Sequence, residues 1–271
     1  MTQTGGLNEL RHVVGRVLHN LLRLLRWVGV DVYALRRDYH YVPKIYGNRA
    51  DKLFDIRDIQ QFRRLAEGAM QNKRTYLYYD RLYTLFQAIR NVRALARDTS
   101  KVNLAEVGVY RGGGTYFLAQ TAQEFGLDNA HVYGFDTFEG HPEQDVRPVL
   151  EPAQKPGVAN YEASFEDTRG YLDRFKNVEL IKGRFQDVCS RIRDMRFHLV
   201  HLDVDIYEPT RFALDFFSKR LVVGGIVVVD DYGFVTCPGI QKATQEFVAS
   251  HHDFVSVDLL TGQCVLVKTG S

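Results

Sequence analysis

A mostly parallel, doubly wound α/β sheet preceded by a helical extension is the fold that this 271-residue sequence predicts. Three observations carry it. From residue 102 onward, short β-branched runs alternate with helical patterns. One of those runs, GGIVVVDD, is apolar nearly throughout, as a strand covered on both faces must be. The last two runs, FVSVDLL and QCVLVK, are joined by Thr-Gly, a hairpin signal that adds an antiparallel edge.

The elements follow in order. Residues 7–30 place apolar side chains at helical spacing with Arg11, Arg16, Arg23 and Arg26 between them, an amphipathic basic helix. Residues 31–72 read as a polar, turn-rich connector. Tyr78, Leu82, Leu85, Ile89, Val92 and Ala96 alternate four- and three-residue steps, which predicts a helix over 76–97. VNLAEVGV, HVYGFD, VELIKG, FHLVHLDVD, GGIVVVDD and the hairpin pair supply seven strands. GGTYFLAQTAQEFG, FEDTRGYLDRF, PTRFALDFFSKRL and GIQKATQEFVASHH are the helices between them. Pro209 suits the first turn of its helix. Residues 141–163, rich in Pro, Gln, Glu and Gly, form a long loop of the kind that serves as a lid or stays disordered. Two parts result: a basic helical extension over 1–72 and the α/β domain over 73–271.

Bulk composition narrows the function classes. An apolar content of 45% suffices for a buried core. Three scattered cysteines form neither a CxxC zinc site nor a disulfide framework, which points to a reducing cytoplasm. No run approaches the roughly 18 apolar residues of a spanning helix. Residues 1–100 hold 18 Lys+Arg against 9 Asp+Glu, whereas the remainder holds 17 against 24. This asymmetry suggests different partners for the two parts: 7–30 lies on an anionic membrane or glycolipid, or packs on its own domain or on a second subunit. No motif or aromatic–basic repeat points to nucleic acid.

In a sheet of this kind, ligands bind at the carboxyl ends of the strands. The first strand ends in EVGVYRGGG, placing Glu106, Gly108, Gly112 and Gly113 where strand turns into helix. Their GxxxGG spacing is not the GxGxxG of dinucleotide binding. The second strand ends at Asp136, placed to grip a ribose diol, and the third at Gly183. The fourth ends at Asp203 and Asp205, the fifth at Asp230 and Asp231. Three carboxylates on neighbouring strand tips, Asp203, Asp230 and Asp231, would repel one another without a cation. Oxygen donors alone suit Mg²⁺ or Mn²⁺.

The strings EVGVYRGGG, DTFEGHP, KGRFQDV, LDVDIYEPT and VVVDDYG, in this order over roughly 73–270, resemble the macrocin O-methyltransferase (TylF/MycF-type) family. The resemblance implies a class I, Rossmann-like methyltransferase that uses S-adenosylmethionine (SAM) and Mg²⁺ to methylate sugar hydroxyls. It implies that Glu106 and Gly108, with Val109, line the methionine end of the cofactor and that Asp136, Thr137 and Phe138 hold the ribose. Phe185, Gln186 and Asp187 would border the adenine, and Thr75 and Tyr76 would reach over the cofactor. Asp203, Asp230 and Asp231 would be the metal ligands and Asp205 the base. His141, Tyr207 and Tyr232 fall on the substrate side; His141 departs from the aromatic residue usual there.

The expected reaction is methyl transfer to a hydroxyl of a carbohydrate or glycosylated acceptor by a homo-oligomeric cytoplasmic enzyme. A catechol acceptor is disfavoured, because VDIYE after Asp203 lacks the lysine that catechol-type relatives place there. Two other readings stand: a glycosyltransferase using DVD as a metal-binding DxD, and a non-catalytic subunit that keeps the fold.

Overall fold

A computed structural model describes residues 56–96, 99–152 and 162–270. The amphipathic helix expected over 7–30 and much of the second half of the 141–163 loop lie outside the described residues. The strands are β1 (Val102–Val107), β2 (Ala130–Asp136), β3 (Val178–Lys182), β4 (Phe197–Leu202), β5 (Leu221–Val229), β6 (Phe254–Asp258) and β7 (Cys264–Lys268). They form one sheet in the order β3-β2-β1-β4-β5-β7-β6. The first five are parallel; β7 pairs antiparallel with both β5 and β6. The strand order reverses between β1 and β4, which opens a crevice at their carboxyl ends.

The helices are α1 (Gln60–Met70), α2 (Tyr79–Leu95), α3 (Gly113–Glu124), α4 (Phe165–Leu172), α5 (Phe185–Val188), α6 (Tyr207–Ser218) and α7 (Pro238–Ser250). They cover both faces of the sheet. One apolar cluster joins α1, α2 and α3 to the side chains of β1, β2 and β5; the other packs α6 and α7 on the opposite face. β1 and β4 are accordingly buried along their whole lengths.

Helix α1 falls where the sequence reads as a polar connector. Its Phe62, Leu65, Ala66 and Ala69 are all buried, spaced as one helical face. Phe62 is completely buried, with its ring 5.1 Å from Tyr83 and 5.4 Å from Phe86 between centroids. Phe62→Ala is expected to cost about 3–5 kcal/mol of stability, read from the midpoint of guanidinium unfolding. A loss below about 1 kcal/mol would mean that α1 is an accessory to the core, not part of it.

The first half of the long loop is a fixed wall. Residues Glu143–Asp145 make a single 3₁₀ turn. Arg184 clamps Asp145 through two hydrogen bonds of 2.6 and 2.9 Å. Glu151 is fully buried and accepts from the backbone N–H groups of Arg147 and Tyr207. Arg147 in turn donates to Glu208. These bonds join loop, β3–α5 turn and α6 behind the crevice.

Candidate active site

The crevice holds a cavity of about 520 Å³. One half of it is built on two turns. Gly108 has φ +97°, and a Cβ there would sit 1.8 Å from the Asp203 carbonyl oxygen. The chain leaving β1 thus touches the tip of β4 backbone to backbone, which only glycine permits. Glu106 lies at the end of β1 beneath α3, whose Gly114 leaves no room for a side chain over the Glu106 carboxylate. Thr115 donates to one oxygen of Glu106, and His201 Nδ1 lies 2.9 Å from the other.

The second turn follows β2. Asp136 Oδ2 accepts from the N–H groups of Val109 and Tyr110, each at 2.7 Å, and Oδ1 accepts from Phe138 at 2.6 Å. Burial pushes its carboxyl up, against the pull of those three amides. Three of about four acceptor positions are therefore filled, and one remains on Oδ1 for a ligand hydroxyl. Thr137 donates to Gly140, which sets the loop that delivers His141.

Most of the expected cofactor residues do line this cavity: Thr75, Tyr76, Glu106, Gly108, Val109, Asp136, Thr137, Gly183, Phe185 and Gln186. Four expected there do not. Gly112 caps α3 in a left-handed conformation (φ +87°), and Gly113 packs against Thr75 and the Ala69 carbonyl. Phe138 turns into a small apolar cluster against Phe165. Asp187 points outward to Arg184.

The acids gather at the other end, but not as the expected trio. Asp203, Asp205 and Asp231 line the cavity, whereas Asp230 does not. Asp230 is wholly buried: Oδ1 accepts from Arg81 at 2.6 Å and from the Asp231 N–H at 2.9 Å. Its Oδ2 accepts from Gln263 at 3.0 Å and faces His201 Nε2 at 3.3 Å. Both Asp230 oxygens thus have protein partners in this arrangement. Burial alone would raise its pKa; Arg81 and His201 outweigh that and hold it well below the carboxylate range.

His201 bridges Glu106 and Asp230 because it is the register partner of Glu106 on the neighbouring strand, so both side chains leave the same sheet face. Burial would lower its pKa, but its hydrogen bonds to Asp230 and Glu106 raise it to about 10, which favours the form in which both ring nitrogens donate. Arg81, from the first turn of α2, also reaches Asp231 Oδ1 at 3.1 Å. Asp205 and Asp231 both adopt left-handed backbone (φ +59° and +55°), which aims their carboxylates into the cavity. Asp231 is pushed up to about 10, first by burial and then by the charges of Asp230, Asp203 and Asp205. His141 Nε2 stands 3.5 Å from Asp205 Oδ2.

Among the described residues, two groups of side chains converge closely enough to hold a metal ion: His201, Asp203 and Asp230, and Asp205, Asp231 and Cys237, each with ligand atoms within 4.8 Å. In the first, both His201 ring nitrogens already face carboxylates, Glu106 and Asp230. In the second, burial pushes the Cys237 thiol up to about 12, leaving two hard carboxylates as donors. The negative charge that converges on Asp231 from Asp230, Asp203 and Asp205 is of the kind a hard divalent cation would neutralise. The residues fit Mg²⁺ or Mn²⁺ on Asp205 and Asp231.

Tyr207 and Tyr232, expected beside the substrate, face elsewhere. The Tyr207 hydroxyl donates to Glu246 at 2.6 Å, and the Tyr232 hydroxyl donates to Asp258 at 3.2 Å. The sequence reading missed Arg81, His201 and Gly114. His201 lies inside the quoted HLDVD string; its polar ring amid an apolar strand was the available signal.

Comparison with known proteins places the chain among sequence and structural relatives. The family model for macrocin O-methyltransferase (TylF) matches residues 46–266. A rhamnosyl-tetracenomycin C 4'-O-methyltransferase of Streptomyces olivaceus is 30% identical over 155 residues, 54% of this chain and 59% of that protein. The mycinamicin III 3''-O-methyltransferase of Micromonospora griseorubida is 26% identical over 172 residues, 59% of this chain and 65% of that protein. This chain thus aligns with less than two thirds of either relative. Among solved structures, the O-methyltransferase NovP superposes with a TM-score of 0.63 at 21% identity, covering 77% of this chain and 88% of that one. The calicheamicin methyltransferase CalS11 gives 0.60 at 18% identity, covering 89% and 98%. Both likenesses concern the fold.

Proposed function

The chain belongs to the macrocin O-methyltransferase family, and from that premise we propose that it transfers the methyl group of SAM to a sugar hydroxyl on a glycosylated acceptor. One observation carries the reading. A single cavity joins the glycine turn and Asp136 at one end to Asp203, Asp205 and Asp231 at the other. Sugar-methylating activities in the names of the relatives support the acceptor class.

Methyl transfer is a one-step displacement. The acceptor oxygen forms a bond to the methyl carbon as the S–C bond breaks, and its electron pair leaves with the sulfur of S-adenosylhomocysteine (SAH). The protein's task is to hold the oxygen about 3–3.5 Å from that carbon, in line with the S–C bond, and to remove its proton. Thr75, Tyr76, Gly108 and Asp136 line the half of the cavity that would take the cofactor. The Asp205 carboxylate accepts the acceptor proton and passes it to solvent, and His141 beside it orients the carboxylate. Asp203 lines the same cavity beside Asp205. Asp205 and Asp231 would hold a divalent ion, which would supply Lewis acidity toward a sugar hydroxyl. Asp230, His201 and Arg81 keep this acid group in place from behind.

The glycosyltransferase reading loses its ground. DVD here is the β4 tip of a methyltransferase sheet, and the glycine turn and Asp136 would have no task. Among the described residues no helix is long and apolar enough to cross a membrane. All three cysteines are buried and unpaired, which supports a reducing compartment. The reading is tested by incubating the full chain with methyl-labelled SAM, Mg²⁺ and a panel of rhamnosides and other glycosides, then locating the label by mass spectrometry. A methyl ether on a ring hydroxyl is the expected product. SAM binding without transfer to any glycoside would contradict it.

A further inference from the structure

Arg81 makes contacts in two directions. Its Nη1 donates to Asp230 Oδ1 at 2.6 Å and to Asp231 Oδ1 at 3.1 Å. Its Nη2 donates to the backbone carbonyl of Tyr76 at 2.9 Å. The guanidinium carbon lies 5.5 Å from the centre of the Phe234 ring, and the side chain is only 12% exposed. The Tyr76 carbonyl belongs to the strap of residues 71–78 between α1 and α2. This strap crosses the cofactor half of the cavity, where Thr75 and Tyr76 line it.

The strap has other attachments as well: Arg74 pairs with Asp167 and lies 4.5 Å over the Tyr171 ring, and Leu77 is buried in the core. Gly113 donates to the Arg74 carbonyl at 3.0 Å, in a place where a Cβ on Gly113 would collide with Thr75. The Tyr76 ring stacks on Tyr110 with centroids 5.3 Å apart, yet Tyr76 is 53% exposed. Asn72 and Lys73, at its start, are two consecutive non-glycine residues in left-handed conformation (φ 55° and 54°). L residues adopt that conformation at a cost, so the docked strap depends on its attachments.

We propose that Arg81 is a positioning residue that makes docking of the strap over the cofactor and alignment of the acceptor-side acids a single event. The planar guanidinium has one fork on the strap and one on the acids. With the Tyr76 carbonyl in place, the plane of the guanidinium is fixed, and with it the orientations of Asp230 and Asp231. A lysine, as a single rotatable point charge, cannot reproduce both directions. The consequence is positive linkage: cofactor binding tightens the site for a divalent ion on Asp205 and Asp231, and the ion tightens cofactor binding by the same factor. The inference rests on the methyltransferase reading given above.

The test measures binding, not turnover. Mn²⁺ is titrated into the full chain with and without saturating SAH by electron paramagnetic resonance, and SAH is titrated with and without Mn²⁺ by calorimetry. In the wild type each ligand is expected to lower the Kd of the other by about tenfold. In Arg81→Met both ligands still bind, but the factor falls to about one, and Arg81→Lys does not restore it. Tryptic cleavage after Lys73 and Arg74 is expected to slow on adding SAH in the wild type and not in Arg81→Met. Independent binding of SAH and Mn²⁺ to the wild type would overturn the inference while leaving the methyltransferase reading intact, and needs no variant. Full linkage retained in Arg81→Met would also overturn it. Failure of SAH to bind at all would remove both readings.

Discussion

Asp205→Asn is expected to lower kcat about 10³-fold while the affinity for SAH stays within about twofold, because a positioned general base contributes roughly 10²–10⁴ in rate. Asparagine keeps the shape of the side chain and tolerates the left-handed backbone (φ +59°) that Asp205 adopts. It also keeps an oxygen that can face His141, 3.5 Å away. What it loses is the charge, and with it the ability to take the acceptor proton and part of the hold on a divalent ion, so SAH binding is compared without added metal. Steady-state rates with SAM and a glycoside acceptor, beside calorimetric SAH binding, separate these effects. More than a tenth of wild-type kcat in the variant would assign the proton to another group.

His201→Phe should produce the largest stability loss among the site residues, about 3–5 kcal/mol, because it leaves Glu106 and Asp230 buried without the cation between them. Phenylalanine fills much of the same volume, so little of the loss comes from a cavity. The pH dependence fixes the cause. The folded-state pKa of His201 is raised from 6.5 to about 10. Its stabilisation is therefore fully present below about pH 6.5 and lost as pH rises through about 10. Guanidinium midpoints at pH 6, 8 and 10 should show the gap between wild type and variant narrowing steadily. A gap independent of pH would mean that the ring acts by packing alone.

The layout of the site was legible where chemistry follows chain direction. Strand period, glycine turns and terminal acids placed the crevice, the cofactor half and the β4 and β5 tips, because parallel strands must all end at the same edge. Side-chain direction was harder. Asp230 and Asp231 are consecutive and alternate just past the end of β5: Asp230 turns to His201 and Gln263 and Asp231 lines the cavity, while Arg81 reaches both. The alternation was visible in VVVDDYG, but the depth of the site behind Asp230 was not. Arg81 meets Asp230 across 149 residues, a pairing created by α2 packing on the sheet. Tyr207 and Tyr232 follow the acids in sequence yet turn outward, because each has an acidic partner on a neighbouring element, Glu246 and Asp258. Helix α1 was hidden by its charge: QQFRRLAEGAM averages polar, and only the positions of Phe62, Leu65, Ala66 and Ala69 disclose its buried face. The 141–152 segment likewise looked loose in composition, whereas Asp145 and Glu151 fix it through partners 39 and 56 residues away.

The central claim is spatial: the reactive hydroxyl is held between the sulfonium methyl and the carboxylates of Asp205 and Asp231. Paramagnetic relaxation measures that arrangement directly, using ¹³C-methyl SAM, Mn²⁺ and the full chain. An oxygen about 2.1 Å from the ion and about 3 Å from the methyl carbon puts the two roughly 5 Å apart. Strong broadening of the methyl signal at one equivalent of Mn²⁺, abolished in Asp231→Asn, is the predicted result. A methyl signal untouched by Mn²⁺ that demonstrably binds, or broadening that persists in full in Asp231→Asn, would contradict the account.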